Sequence, residues 1–327
     1  MPESRPVPDY TRIARAASSV VFAMVAARYV YVHRNELTVL FSVRGWDIAR
    51  LVGALFLQSL VGAARFASLY RVLGAHMGLW ESFGLSNVAT VLNTVLPAQA
   101  GGVARAVYLK RRYAIPYSQA PVILLGAMVS SLSIGAAVMI ITNTIAVLMA
   151  KPVAWALWLG AACAGAPVLL LWVSVPERWT SRLGRVGHML RLFSDGWQKL
   201  RQDARCLAET GLYQILVFVV GGWIIAIAYG GLGVRVSPLV GTSIVVFASF
   251  ANLVVLTPGN LGIQEAVVGY LSQLSGLAFV DGVAASILIR IVGLMVNFAV
   301  APVAWYLLFL RRGITITENT RTPEDQE

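Results

Sequence analysis

Glu265 and Arg290 stand inside apolar runs in the C-terminal half of a 327-residue chain. At membrane depth an ionised side chain is costly, so it faces a cavity or holds a partner. Two chemistries follow. Carboxylate and guanidinium satisfy each other and only hold the fold, or Arg290 attracts an anionic phosphate that Glu265 orients or neutralises. Glu265 closes the stretch Thr257-Pro-Gly-Asn-Leu-Gly-Ile-Gln-Glu265. Proline removes a backbone donor and glycine weakens a helix, so this stretch predicts a helix broken inside the membrane. Backbone donors after Gly259 and Gly262 then supply an anion-binding helix end. Pro258, Asn260 and Gln264 belong to the same candidate binding site.

A related pattern occurs earlier, at Pro97-Ala-Gln-Ala-Gly101, which shares with Pro258-Gly-Asn-Leu-Gly262 the form proline, any residue, amide, any residue, glycine at an offset of 161 residues. Asn93, Pro97, Gln99, Gly101 and Arg105 complete the candidate set. Arg105 is either a phosphate contact for the other leaflet or an interfacial anchor beside Lys110, Arg111 and Arg112. Asn93, Gln99, Asn252 and Asn260 are amides suited to backbone groups freed at a break. Gly259 and Gly262 suit tight backbone turns whatever the ligand.

Catalytic signatures are thin. His33, His76 and His188 have no metal-like partner spacing, and Cys163 and Cys206 differ too much in setting to predict a disulfide. There is no phosphate-cradling glycine loop and no acidic pair of the kind that holds magnesium. No catalytic residue, metal or cofactor is therefore expected, and the protein is not expected to be an enzyme. An intramembrane transferase is the enzymatic alternative.

These residues need elements to carry them, and composition names the class. The chain is 58% hydrophobic and 13% charged, with mean hydropathy +0.73. Apolar runs approach spanning length without period-2 alternation, which predicts an all-α polytopic membrane protein. The net charge of +11 sits at span ends and in one loop. It reads as topology and contact with anionic lipid, not nucleic acid. The expected organisation is a cytoplasmic N-terminus at 1–15, a first repeat at 16–151 with a hairpin at 83–109, and a span at 152–175. A basic loop at 176–209, the rest of the second repeat at 210–312 with a hairpin at 239–274, and a disordered tail at 313–327 follow. The first span, about Ala16 to Val32, is read as a span and not a signal peptide, because no clear small-residue cleavage site follows Arg28. Arg65 and Arg71 are read as marking the end of the second apolar run.

In the loop, Trp179, Leu183, Val186, Leu190, Phe193, Trp197 and Leu200 recur at spacings of four and three, an amphipathic stripe. It reads as a helix lying on the membrane face, or as a dimer contact. Each half of the chain holds two short apolar segments around its break. If both pairs are re-entrant hairpins, six full crossings remain, the halves form an inverted repeat, and most basic residues fall on one side. The alternative counts Phe83 to Leu96 and Leu239 to Leu256 as plain spans, eight in all.

Over most of its length the chain resembles the membrane domain of the lysylphosphatidylglycerol synthase family, the flippase-like part of bacterial multiple peptide resistance factors. Asn93-Thr-Val-Leu-Pro97 leading to Gly101 and Arg105, the stretch from Thr257 to Glu265, and Arg290 carry the resemblance. It implies movement of anionic phospholipids or polyprenyl-linked glycolipid intermediates between leaflets, with membrane lipids of anionic head group as partners. The charge pattern places both termini on the cytoplasmic side of the inner (plasma) membrane, and the amphipathic stripe offers a contact for a second copy or a glycosyltransferase. A non-transporting accessory protein for envelope assembly is the alternative. Two departures matter. Gly102 stands where the family often has an acid, and Gly126 and Ala127 stand where it often has an acid–arginine pair. The chain ends soon after Arg312, so lysyl transfer to lipid is not expected of it.

Overall fold

The computed structural model describes residues 43–95, 100–149, 198–251 and 262–311. The expected spans at 16–32 and 152–175, most of the amphipathic stripe, and the tail at 313–327 lie outside the described residues. Pro97, Gln99, Asn252, Pro258, Gly259 and Asn260 do too.

Among the described residues eight α-helices run in chain order: α1 Gly45–Val72, α2 Leu79–Val95, α3 Ala100–Tyr113, α4 Ala120–Leu148, α5 Ala204–Gly231, α6 Pro238–Ala251, α7 Ile263–Leu274 and α8 Phe279–Trp305. Four stretches of them, Gly45–Val72, Ala120–Ile145, Ala204–Gly231 and Phe279–Phe309, are long and apolar enough to cross hydrocarbon. Their outer faces expose Ile141, Leu148, Leu212, Trp223, Met295 and Val303. Lipid accepts such a surface, and water penalises it. The protein is a multi-pass helical membrane protein.

The helix ends have local causes. α5 begins before residue 210, the expected end of the basic loop, because the Asp203 carboxylate accepts the Cys206 N–H at 2.9 Å. That cap draws residues 204–209, expected in the basic loop, into the first turns of a long helix. Pro302 lies inside α8, and beyond it a π-helical turn over Tyr306–Leu310 closes with Arg311 N–H donating to Tyr306 O at 2.8 Å.

α1 and α5 lie antiparallel. Gly231, at the end of α5, meets Val43 and Asp47 beside the start of α1, while Glu209, near the start of α5, pairs with Arg71 at the end of α1. α6 folds back on α5 at a close crossing, where a Cβ on Gly222 would lie 2.1 Å from Thr242 Oγ1 and 2.6 Å from Pro238 O. Only glycine admits that approach, the small-residue contact by which membrane helices gain packing without a hydrophobic driving force.

Two apolar cores occupy opposite ends. One gathers Leu51, Met139, Ile225, Tyr229, Ile244, Leu271 and Ala285. The other gathers Leu69, Leu85, Tyr108, Leu109, Leu200, Cys206 and Phe309. Arg71, Lys110, Arg111 and Arg112 lie in helix last turns that share this second core. Arg65 does not share that position, contrary to its reading as a span-end marker. It sits within α1 and donates from Nη1 to Ser131 Oγ of α4 at 3.1 Å.

Candidate functional site

The first break is built by α2 and α3. At its tip the Gly101 N–H donates to Asn93 Oδ1 at 2.8 Å. A Cβ on Gly101 would lie 2.1 Å from Ala89 O, so the start of α3 touches the backbone of α2. At the base Tyr108 and Tyr113 both donate to Glu81 Oε1, Tyr113 at 3.1 Å. The two short helices therefore form a hairpin, with its base among residues of the second core. Asn93 acts at the tip as expected of an amide beside a break, satisfying an N–H of a helix start.

The second break lies between α6 and α7. Tyr229, at the end of α5, is hydrogen-bonded to Ser272 near the far end of α7, so α7 runs back toward the place where α6 began. This pair rests on the first core, whereas the Glu81 contacts of α2 and α3 lie by the second, at the other end of the molecule. Gly262 precedes α7 with φ +82°, a left-handed conformation that glycine takes without Cβ strain.

From Gly262 the site assembles residue by residue. Glu265 Oε2 accepts the Gly262 N–H at 2.8 Å, fixing the start of α7. Its other oxygen, Oε1, meets Arg290 Nε of α8 at 2.6 Å, with both side chains nearly buried. Arg290 Nη2 donates to Gln264 Oε1 at 3.3 Å. Three predicted residues, Gln264, Glu265 and Arg290, thus join Gly262 in one cluster, and the ion pair is formed. Arg105 is not in this cluster: its guanidinium packs 4.0 Å from the centroid of the Phe66 ring on α1.

Two cavities meet there. The smaller, about 200 Å³, is lined by Thr94 at the end of α2 and by Gln264, Ser286, Arg290 and Asn297. The larger, about 580 Å³, shares Gln264, Ser286 and Asn297 and extends past Gln58, Arg65, Ser131 and Gln214. The ends of both hairpins, Thr94 and Gln264, thus face common space.

The sequence model of the family described as lysylphosphatidylglycerol synthase TM region matches residues 14–301. The chain belongs to this family. A comparison with curated proteins returned no match. Membership in the lysylphosphatidylglycerol synthase TM region family makes the chain a membrane domain linked to lipid and envelope biology.

Sequence reasoning missed the polar residues of the larger cavity. Ser131 Oγ, which accepts from Arg65, itself donates to Gln214 Oε1 at 3.1 Å, and Gln58 Nε2 donates to Val217 O at 3.2 Å. One signal was legible. Arg65 precedes Arg71 by six positions, which in a helix buries it about 9 Å deeper. Which helix faced it was not.

Proposed function

We propose that the protein translocates an anionic phospholipid or polyprenyl-linked glycolipid between leaflets, as a transporter and not an enzyme. One observation carries this reading: Thr94 at the end of α2 and Gln264 at the start of α7 line a common cavity beside a nearly buried Glu265–Arg290 pair. Discontinuous helices that meet inside a membrane protein are the arrangement by which inverted-repeat transporters hold a polar group at the midplane. The adjoining cavity of about 580 Å³ has the size of a small-ligand pocket. It suits a head group whose acyl chains stay in lipid. The head group sits between the hairpin ends, and rocking of one half against the other exposes it to each leaflet in turn.

In this reading Arg290 and Glu265 act together. The pair anchors the start of α7 to α8, and the polar wall beside it, Gln264 and Asn297, faces the head group. The end rich in Arg71 and Lys110 to Arg112 is cytoplasmic by the positive-inside rule, in the inner membrane, with both termini on that side. The halves are then an inverted repeat of six crossings and two re-entrant hairpins.

The test is leaflet exchange of fluorescent anionic lipids in liposomes, comparing the wild type with Glu265→Ala and Arg290→Ala at equal insertion. Loss of exchange in both variants is expected. No exchange by the wild type across several lipid classes would transfer the reading to an accessory protein of envelope assembly. Formation of a new lipid product by the purified protein would transfer it to an intramembrane transferase.

A further inference from the structure

Arg290 is the arginine that the sequence brings forward, yet its charge is matched by Glu265. The unmatched charge lies elsewhere. Arg65 lines the larger cavity from α1, and among the described residues no carboxylate pairs with it. Its Nη1 is held by Ser131, which is held in turn by Gln214, a relay across α1, α4 and α5. Its Nε is buried without a hydrogen-bond acceptor.

Arg105 comes to the same place from the first hairpin. Its guanidinium carbon lies 4.0 Å from the Phe66 ring centroid, while that of Arg65 lies 5.2 Å from the same centroid. The Nε of Arg105 is likewise buried without an acceptor. A ring face attracts a cation but does not cancel its charge. Nor is the fold short of means to neutralise arginine: at the end of α1, six positions on, Arg71 is paired with Glu209, which also takes Arg205. Two guanidinium groups lie around one ring, one of them in a cavity wall, and among the described residues neither is matched by an acid. Uniform hydrogen bonding by neutral groups would leave the mutual repulsion intact, and an anion between them removes it.

We infer that Arg65, reinforced by Arg105, is an anion-binding subsite of the larger cavity, and that it takes the phosphate ester of an anionic glycerophospholipid. The assignment rests on the lipid-translocation reading for its substrate class. It moves the principal phosphate contact from the second hairpin, at Arg290, to the first half of the chain. The relay from Gln214 through Ser131 holds the guanidinium of Arg65 in place through Nη1, at the wall of the cavity where a phosphate would meet it.

The experiment measures binding apart from transport. Purified wild-type protein and the variants Arg65→Gln, Arg65→Lys and Arg105→Gln are titrated with phosphatidylglycerol in mixed micelles, against phosphatidylcholine and against inorganic phosphate. Arg65→Gln is expected to weaken phosphatidylglycerol binding about tenfold or more, the worth of a charge-assisted hydrogen bond. Arg65→Lys keeps the charge without the fork and loses less, and Arg105→Gln also loses less. Helical circular dichroism and monodisperse elution accompany each variant. Should Arg65→Gln not fold, Ser131→Ala, which frees the guanidinium without removing it, is expected to weaken binding severalfold. Unchanged affinity in the folded variants, or no preference for phosphatidylglycerol over phosphatidylcholine in the wild type, overturns the assignment. Inorganic phosphate competing as well as the lipid would overturn the lipid source and make this a site for a free anion. Lipid binding that needs Arg65 without leaflet exchange would leave the subsite standing and refute translocation. Exchange with unaltered Arg65→Gln binding would do the reverse.

Discussion

The two ends of the Glu265–Arg290 pair are not equivalent. Glu265 spends one oxygen on the Gly262 N–H and the other on Arg290, so it ties the start of α7 to α8. Arg290→Ala strands a nearly buried carboxylate, and removing one partner of such a pair costs about 3 kcal/mol. A clear fall in thermal unfolding temperature in detergent is expected. Wild-type melting in both Arg290→Ala and Glu265→Ala would mean the pair does not hold the fold. Arg290→Lys is expected to recover part of the stability while exchange stays impaired, because lysine lacks the donor fork that meets Glu265 and Gln264 together. At the first break, Asn93→Ala removes the acceptor of the Gly101 N–H and is expected to cost about 1 kcal/mol. Asn93→Asp keeps an acceptor and should melt nearer the wild type. At this scale the sequence was informative where chemistry is local: charge at membrane depth, and an amide eight positions before a glycine. It could not distinguish an ion pair from a ligand contact, since α7 and α8 meet only after folding.

Among the helices, glycine decides where two backbones touch, and the decision is made by the neighbour. Gly101→Ala would drive a Cβ to 2.1 Å from Ala89 O, whereas at the adjacent Gly102 a Cβ would meet Leu124 Cδ1 at an ordinary 3.6 Å. Gly101→Ala is therefore expected to destabilise by more than about 2 kcal/mol, in the range of overpacked sites. Gly102→Ala should be close to neutral, and equal melting of the two would contradict the closed hairpin. Both glycines look alike in the sequence, where each is a helix weakener near Pro97. Gly126 gives a related contrast. It stands where the resemblance expects an acid, and a Cβ there would meet Leu200 Cδ2 at 2.7 Å, so an apolar side chain from another segment fills that ground. The start of α5 was misread for a different reason: Asp203 looks like one charge in a polar loop, and only its contact with the Cys206 N–H shows it to be a cap.

For the molecule as a whole, the proposed translocation requires the helix pairs α2–α3 and α6–α7 to move relative to each other. Thr94 and Gln264 belong to different hairpins and line the same cavity. In a background with Cys163 and Cys206 replaced by alanine, a thiol-specific cross-link between Thr94→Cys and Gln264→Cys is expected to stop leaflet exchange, with recovery on cleavage of the linker. Exchange at the uncross-linked rate in fully cross-linked protein would exclude relative motion at this point. The same assembly explains why the bases of the chain separate. Arg71 and the Lys110 to Arg112 cluster share one apolar core, while Arg44 and Arg235 lie by helix ends at the other. The separation follows from antiparallel packing of α1 on α5 and from the turning back of each short pair.

By itself the sequence determined the medium and the helical class, because hydropathy and its period are properties of single continuous segments. It also marked Glu265, Arg290 and the amides as residues needing partners. Only the tertiary structure decided who those partners are. It closed Glu265 on Arg290, set Arg105 against Phe66, and turned Arg65 from an apparent end marker into the wall of a cavity. The reason is physical: the electrostatics of a buried charge depend on groups brought near by packing, and packing joins segments that the chain keeps far apart.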